Sequence, residues 1–140
     1  MLVHEYVHAV VDELAQFNHD RVPRWLNEGL AEYVAWRYEG RDEPAWTIKV
    51  QLRAAARAHQ LPSLAVMATM PPIAVGNPAV SYAFCASAAR ALIGKGGAQG
   101  VLDLIRDLGR GQPFDAAFTG RYGLPLARLQ EEVQEEVNRP

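Results

Sequence analysis

HEYVH at residues 4–8 and PRWLNEGLAEY at residues 23–33 are the two stretches that decide the fold of this 140-residue chain. The first lies inside residues 1–17, where the apolar pattern predicts a helix. The second opens with a proline and predicts a helix that ends near Gly40. A short polar loop connects the two, so we expect an antiparallel helix pair. The apolar residues that recur at helical spacing in the first stretch are Val3, Val7, Val10, Leu14 and Phe17.

The rest of the chain carries further helical patterns and no alternating pattern typical of strands. At most a short helix fits the proline-rich residues 61–72, and residues 73–78 are expected to be irregular. The glycine-rich run at residues 94–97 should end the fourth long helix. We therefore predict a mainly α fold. The other predicted helices cover residues 46–60, 79–93, 101–108, 114–122 and 126–137.

The length and the 49% share of hydrophobic residues fit one globular domain over residues 1–140. We expect residues 1–40 to form the helix pair and residues 46–140 a supporting helical part. A formal net charge of -2 without a basic block argues against nucleic acid as a partner. No stretch is long enough to span a membrane and no signal peptide is visible, so the localisation stays open. The single cysteine, Cys85, makes no internal disulfide.

His4 and His8 are four residues apart, which on a helix places them one above the other on the same face. Both rings can then reach one ion at the zinc–nitrogen distance of about 2.0–2.1 Å. Glu5 follows the first histidine, where it can take a proton from a metal-activated water and pass it to a leaving amine. A helix with two histidines by coincidence is the weaker interpretation, because a second motif supplies a third ligand.

That third candidate ligand is Glu28, since a catalytic zinc needs three protein ligands and an open fourth position. The second helix folds back on the first and should bring Glu28 beside the histidines. Gly29 next to it would let the two helix backbones approach closely. Glu32 lies one turn further along, where it could accept a hydrogen bond from a ligand histidine and fix its orientation. A solvated helix carboxylate explains Glu32 equally well.

HExxH followed by WLNEGLAEY resembles the gluzincins, the thermolysin-like clan of zinc peptidases whose third ligand is a glutamate on the next helix. WLNEG is similar to the corresponding stretch of the zinc aminopeptidases, and later segments are similar to small bacterial peptidase MA-like domains. The resemblance implies one Zn²⁺ ion held by His4, His8 and Glu28. Glu5 would act first as general base and then as general acid. The later segments are Ser81-Tyr82-Ala83, then Gly100 with Leu102, Leu104 and Leu108, then Gly123 before the last helix.

The metzincin pattern does not fit, because it requires Gly and His where this chain has Val11 and Leu14. In gluzincins a β-sheet precedes the zinc helix, and its edge strand pairs with the substrate backbone. This chain begins three residues before the motif. We therefore expect the helical C-terminal part of a zincin-like domain, truncated at its N-terminus, with the upstream β-sheet missing. Surface exposed by that truncation would favour a dimer, or contact with the missing N-terminal half.

Tyr82 is the candidate donor to the oxyanion that develops during hydrolysis, because it lies near the start of a helix that could face the site. A core tyrosine with its hydroxyl at the rim is the alternative. The sequence as a whole predicts a zinc-dependent metallopeptidase that hydrolyses peptide or protein substrates through a metal-activated water. The alternative is a non-catalytic, zinc-containing helical binding module or an inactive truncated fragment. The retained Glu5 argues against a purely structural zinc site, which needs no general base.

Overall fold

The computed structural model describes residues 2–139, and this part of the chain is helical without any strand. The predicted mainly α fold is confirmed, while the predicted domain limits, Met1 and Pro140, lie outside the described residues. Single-turn 3₁₀ helices occupy the connections at His19–Arg21, Val66–Ala68 and Pro72–Ala74. The α-helices of residues 2–139 are α1 (Val3–Leu14), α2 (Arg24–Tyr38), α3 (Trp46–Arg57), α4 (Pro78–Gly109), α5 (Phe114–Tyr122) and α6 (Leu126–Val137).

The end of α1 comes earlier than the sequence pattern predicts. The helix stops at Leu14, so the predicted extension to Phe17 is wrong. Gln16 and Phe17 adopt the left-handed backbone conformation, with φ of 56° and 63°. The Phe17 amide donates to the Asp12 carbonyl at 2.8 Å and closes the helix end. Phe17 is 75% exposed, because the chain turns here to return along α2 instead of continuing over the core.

Helix α4 is the centre of the fold and packs against every other α-helix of the described range. Its buried face combines several alanines with Phe84 and Leu92, and the small side chains let neighbouring helices approach closely. The core continues through Trp25 and Leu26 of α2 and Phe118 of α5, which are at most 1% exposed. Burying one large apolar side chain stabilises a fold by about 1.5–3 kcal/mol. This packing holds α2 rigidly on α4.

Asn77 and Gly97 set the course of α4. The Asn77 side chain accepts a hydrogen bond from the Ala79 amide at 3.0 Å, and Pro78 occupies the first helical position. The predicted interruption at the glycine-rich run is present at Gly97, whose φ of 72° and ψ of 172° are not helical. The helix resumes immediately and not at Val101, so the two predicted helices form one kinked element. Glycine allows this kink because it has no side chain to clash at positive φ.

Proline and glycine residues mark the limits of the last two helices. A proline precedes each helix, where its missing amide costs no helical hydrogen bond. Gly123 ends α5 in the left-handed conformation with φ of 71°. Leu129 and Val133 of α6 are buried against the core. Within residues 2–139, no helix combines the length and the apolar character needed to cross a bilayer.

Candidate metal centre

Helices α1 and α2 run antiparallel, and the candidate residues lie between them. His4 contacts Glu32, whereas His8 contacts Asn27 and Glu28, so residue numbers rise along α1 while they fall along α2. The predicted antiparallel pair is therefore confirmed. Because both helices present these side chains inward, residues far apart in the sequence meet in one small region.

His8 is held at both of its ring nitrogens. Its Nδ1 lies 2.8 Å from Asn27 Oδ1. An amide oxygen can only accept a hydrogen bond, so Nδ1 is the donor, and in a neutral ring Nε2 then carries a lone pair and no proton. That lone pair faces Glu28, whose Oε2 lies 3.3 Å from Nε2. Two electron-rich atoms this close need a proton or a metal cation between them.

The separation of His8 Nε2 and Glu28 Oε2 is compatible with two ligands of one zinc ion. A charge-assisted N–H···O bond is about 2.7–2.9 Å long. Two ligand atoms of a tetrahedral zinc ion, each about 2.0–2.1 Å from the metal, lie roughly 3.3–3.4 Å from one another. The observed 3.3 Å matches this second value. The pair therefore already has the spacing of two zinc ligands.

His4 is turned towards Glu32 and away from the pair formed by His8 and Glu28. Its Nε2 lies 2.9 Å from Glu32 Oε2, and since a carboxylate accepts, the histidine donates. In this arrangement, no three His, Cys, Asp or Glu side chains among residues 2–139 form a ready-made metal site. Binding a metal through this nitrogen requires His4 to exchange Glu32 for the ion. The donor set of two histidines and one carboxylate fits zinc.

Glu32 uses both of its carboxylate oxygens. Oε2 accepts from His4, while Oε1 accepts from the indole N–H of Trp36 at 3.2 Å. Trp36 is only 3% exposed. Of the two interpretations that the sequence left open, these contacts favour a carboxylate that orients a histidine over one that is merely solvated.

The centre is open to solvent. The side chains of His4 and His8 are 41% and 33% exposed, and that of Glu28 is 20% exposed. Glu5 is exposed in the first turn of α1, where a negative charge also stabilises the helix N-terminus. Catalytic zinc sites keep an accessible coordination position, whereas structural sites are closed by four protein ligands. The candidate ligands are therefore accessible from solvent.

Tyr82 lies near the start of α4, close to the carboxylates of α2. Burial raises the pKa of its phenol, and the negative charges of Glu28 and Glu32 raise it further. These charges act on Tyr82 because the three side chains occupy the same region between α2 and α4. The hydroxyl therefore keeps its proton at neutral pH and remains available as a hydrogen-bond donor.

We expected Gly29 to let the backbones of α1 and α2 approach closely. This expectation is wrong, because the backbone that lies against Gly29 is that of α4. A side-chain carbon built on Gly29 would lie 2.7 Å from the Cys85 carbonyl carbon. Glycine is required because the backbones of α2 and α4 meet here. Cys85 itself is fully buried, and burial strongly raises the pKa of its thiol. Since Glu28 precedes Gly29, this contact also fixes the backbone of the candidate ligand relative to α4.

A cavity of about 310 Å³ adjoins the centre on the side of Glu28. Arg24 and Asn27 line it from α2, and Thr69 lines it from the opposite wall. His19 also borders this space, with its Nδ1 3.1 Å from Asp12 Oδ1.

A family model described as the Peptidase MA superfamily matches residues 1–139. The chain belongs to the Peptidase MA superfamily. The predicted resemblance to a peptidase MA-like domain is thereby confirmed, and the family is one of metallopeptidase-like domains. The narrower assignment to the gluzincins stays a prediction. No match is found among curated proteins, and none among solved structures.

Two residues of this Peptidase MA superfamily site, Asn27 and Trp36, are not singled out by sequence patterns. The spacing of Trp36, four residues after Glu32, is an available signal, because side chains at that spacing are neighbours on a helix. Asn27 is part of the WLNEG stretch and directly precedes Glu28, which is also an available signal. Its amide oxygen lies 2.8 Å from His8 Nδ1 because α2 packs against α1.

Proposed function

We propose that this chain is a zinc-dependent metallopeptidase that hydrolyses peptide bonds, with His4, His8 and Glu28 as the ligands of one zinc ion. The observation that carries the proposal is the 3.3 Å separation of His8 Nε2 and Glu28 Oε2. The Asn27 contact makes Nδ1 the hydrogen-bond donor, so Nε2 is the ring nitrogen that would coordinate a metal. Membership of the Peptidase MA superfamily supports the same chemistry.

Two further side chains have roles in the proposed reaction. When bound, zinc would polarise the substrate carbonyl and lower the pKa of a coordinated water. Glu5, exposed beside His4, takes the proton released when water attacks and delivers it to the leaving amine. Tyr82 donates its phenolic proton in a hydrogen bond to the developing oxyanion.

Each histidine is oriented by a hydrogen bond that its ring N–H donates to a side-chain oxygen of α2. Asn27 holds His8 in the tautomer whose Nε2 is free for the metal. Glu32 already contacts His4, and after His4 turns to the metal it would accept from the other ring nitrogen. Such a turn would distinguish a metal-bound arrangement from the one described here.

The proposal is tested by zinc content and by hydrolysis of a mixed peptide library. We expect one zinc per chain in the wild type and in Glu5→Gln, and a loss of hydrolysis of about 10²–10⁴-fold in Glu5→Gln alone. Glu13→Gln is the matched control, since Glu13 is an exposed carboxylate elsewhere on α1. A wild-type chain without zinc would refute the metal centre. Zinc binding without any peptide cleavage would refute the peptidase and support the binding module.

A further inference from the structure

We propose that Trp36 is a positioning residue of the metal centre, and that its indole N–H holds the Glu32 carboxylate in place to orient His4. The inference rests on the proposed zinc site. It extends that site by one layer, from the metal ligands through Glu32 to a buried tryptophan that touches neither metal nor substrate.

The contacts form a continuous chain across two helices. The Trp36 indole N–H donates to Glu32 Oε1 at 3.2 Å, and Glu32 Oε2 accepts from His4 Nε2 at 2.9 Å. Each carboxylate oxygen therefore has its own partner. Trp36 and Glu32 are four residues apart on α2, so their side chains are neighbours along one helix face.

The indole is itself fixed by its surroundings. Trp36 is 3% exposed and packs edge-to-face on Tyr33, with ring centroids 6.1 Å apart and an interplanar angle of 74°. The Tyr33 hydroxyl in turn donates to Asp42 Oδ1 at 2.6 Å, which anchors this ring to the loop after α2. A buried N–H that lost Glu32 would have no water to replace it. Trp36 therefore favours the one Glu32 conformation that reaches α1.

This positioning matters most when His4 changes its partner. As His4 turns to a metal, one of the contacts of Glu32 is rearranged, and a long, flexible side chain could then swing into solvent. The contact with Trp36 is on the other oxygen and does not have to break. It would keep the carboxylate beside His4, so His4 would lose less freedom on binding a metal.

Trp36→Phe tests the inference, because it keeps an aromatic ring and removes the N–H. We expect its zinc affinity, measured by competition with a chromogenic chelator, to fall about 10-fold. Trp25→Phe is the matched control. Trp25 is fully buried, and its indole N–H has no hydrogen-bond partner among residues 2–139, so its replacement should leave zinc affinity unchanged. Thermal unfolding of both variants shows whether either has lost its fold.

A double-mutant cycle with Glu32→Ala separates positioning from packing. Once Glu32 is removed, Trp36→Phe should weaken zinc binding no further. In the metal-free protein, Glu32→Ala should shift the indole ¹H–¹⁵N resonance of Trp36 and leave that of Trp25 in place.

Three results would overturn the inference while the zinc site stands: equal zinc affinity in Trp36→Phe and wild type, additive losses in the cycle, or an unmoved Trp36 resonance. A wild-type chain that binds no zinc would overturn the proposed function together with this inference.

Discussion

Gly29→Ala should destabilise the protein through the contact between α2 and α4. The added carbon would lie 2.7 Å from the Cys85 carbonyl carbon, whereas ordinary contact begins at 3.4 Å. The two helices must therefore separate by about 0.7 Å or more, and a backbone carbonyl cannot rotate away as a side chain can. Overpacking of this kind costs about 1–3 kcal/mol, and the better helix propensity of alanine returns at most about 1 kcal/mol. Taking the upper end of the range, we expect a net loss of about 2 kcal/mol.

Urea unfolding followed by circular dichroism measures this loss, and the melting temperature should fall by roughly 5–10 °C. Gly94→Ala is the matched control, because Gly94 is helical in α4 and has nothing within 4 Å of an added carbon. It should gain about 0.5–1 kcal/mol from reduced backbone freedom. If Gly29→Ala were as stable as the wild type, the close approach of α2 and α4 would not exist in solution.

Three further predictions concern the site and its surroundings. Asn27→Leu removes the acceptor that sets the tautomer of a ligand histidine, so zinc affinity in a chelator competition should fall about 10–100-fold; an unchanged affinity would contradict that role. Burial raises the pKa of Tyr33, Tyr82 and Tyr122 above the ordinary value of 10.0, so the folded state keeps these protons longer than the unfolded state. The free energy of unfolding should therefore fall as the pH rises above about 10, and a constant value across that range would refute the shift. Cys85 should resist a thiol reagent in the folded protein and react fully in denaturant, because burial keeps its thiol protonated; rapid labelling of the folded protein would refute its burial.

Local sequence patterns predict most of the helices because helical periodicity depends on neighbouring residues. The pattern at Val3, Val7 and Leu14 marks the buried side of α1 and survives in the structure. It fails at Phe17, because nothing local distinguishes one more turn of helix from the point where the chain reverses. At Gly97 the sequence predicts the end of a helix, whereas the structure has a kink within one helix. A glycine-rich run signals an interruption, but it does not determine whether the helix resumes on the far side.

In the candidate site too, local spacing predicts some features, whereas contacts between helices are not predicted. The identities of His4, His8, Glu28 and Glu32 can be read from motif spacing, because that spacing reflects the geometry of a helix pair. The contact of Gly29 cannot be read in this way. The residue that a side chain at this position would clash with is Cys85 of α4, more than fifty residues away in the chain. Contacts made across helices depend on crossing angles, and a single sequence does not determine those angles.

The two histidines of the HExxH motif have different hydrogen-bond partners, which the spacing of the motif does not predict. The pattern treats His4 and His8 as equivalent, yet Asn27 already holds His8 with Nε2 directed at Glu28, while His4 donates to Glu32. In the proposed function, a metal ion would therefore meet two ligands at the right separation and recruit the third. The free energy of that recruitment depends on how firmly Glu32 holds His4 before and after the exchange. The residues that control Glu32 should consequently tune metal affinity even though none of them binds the metal.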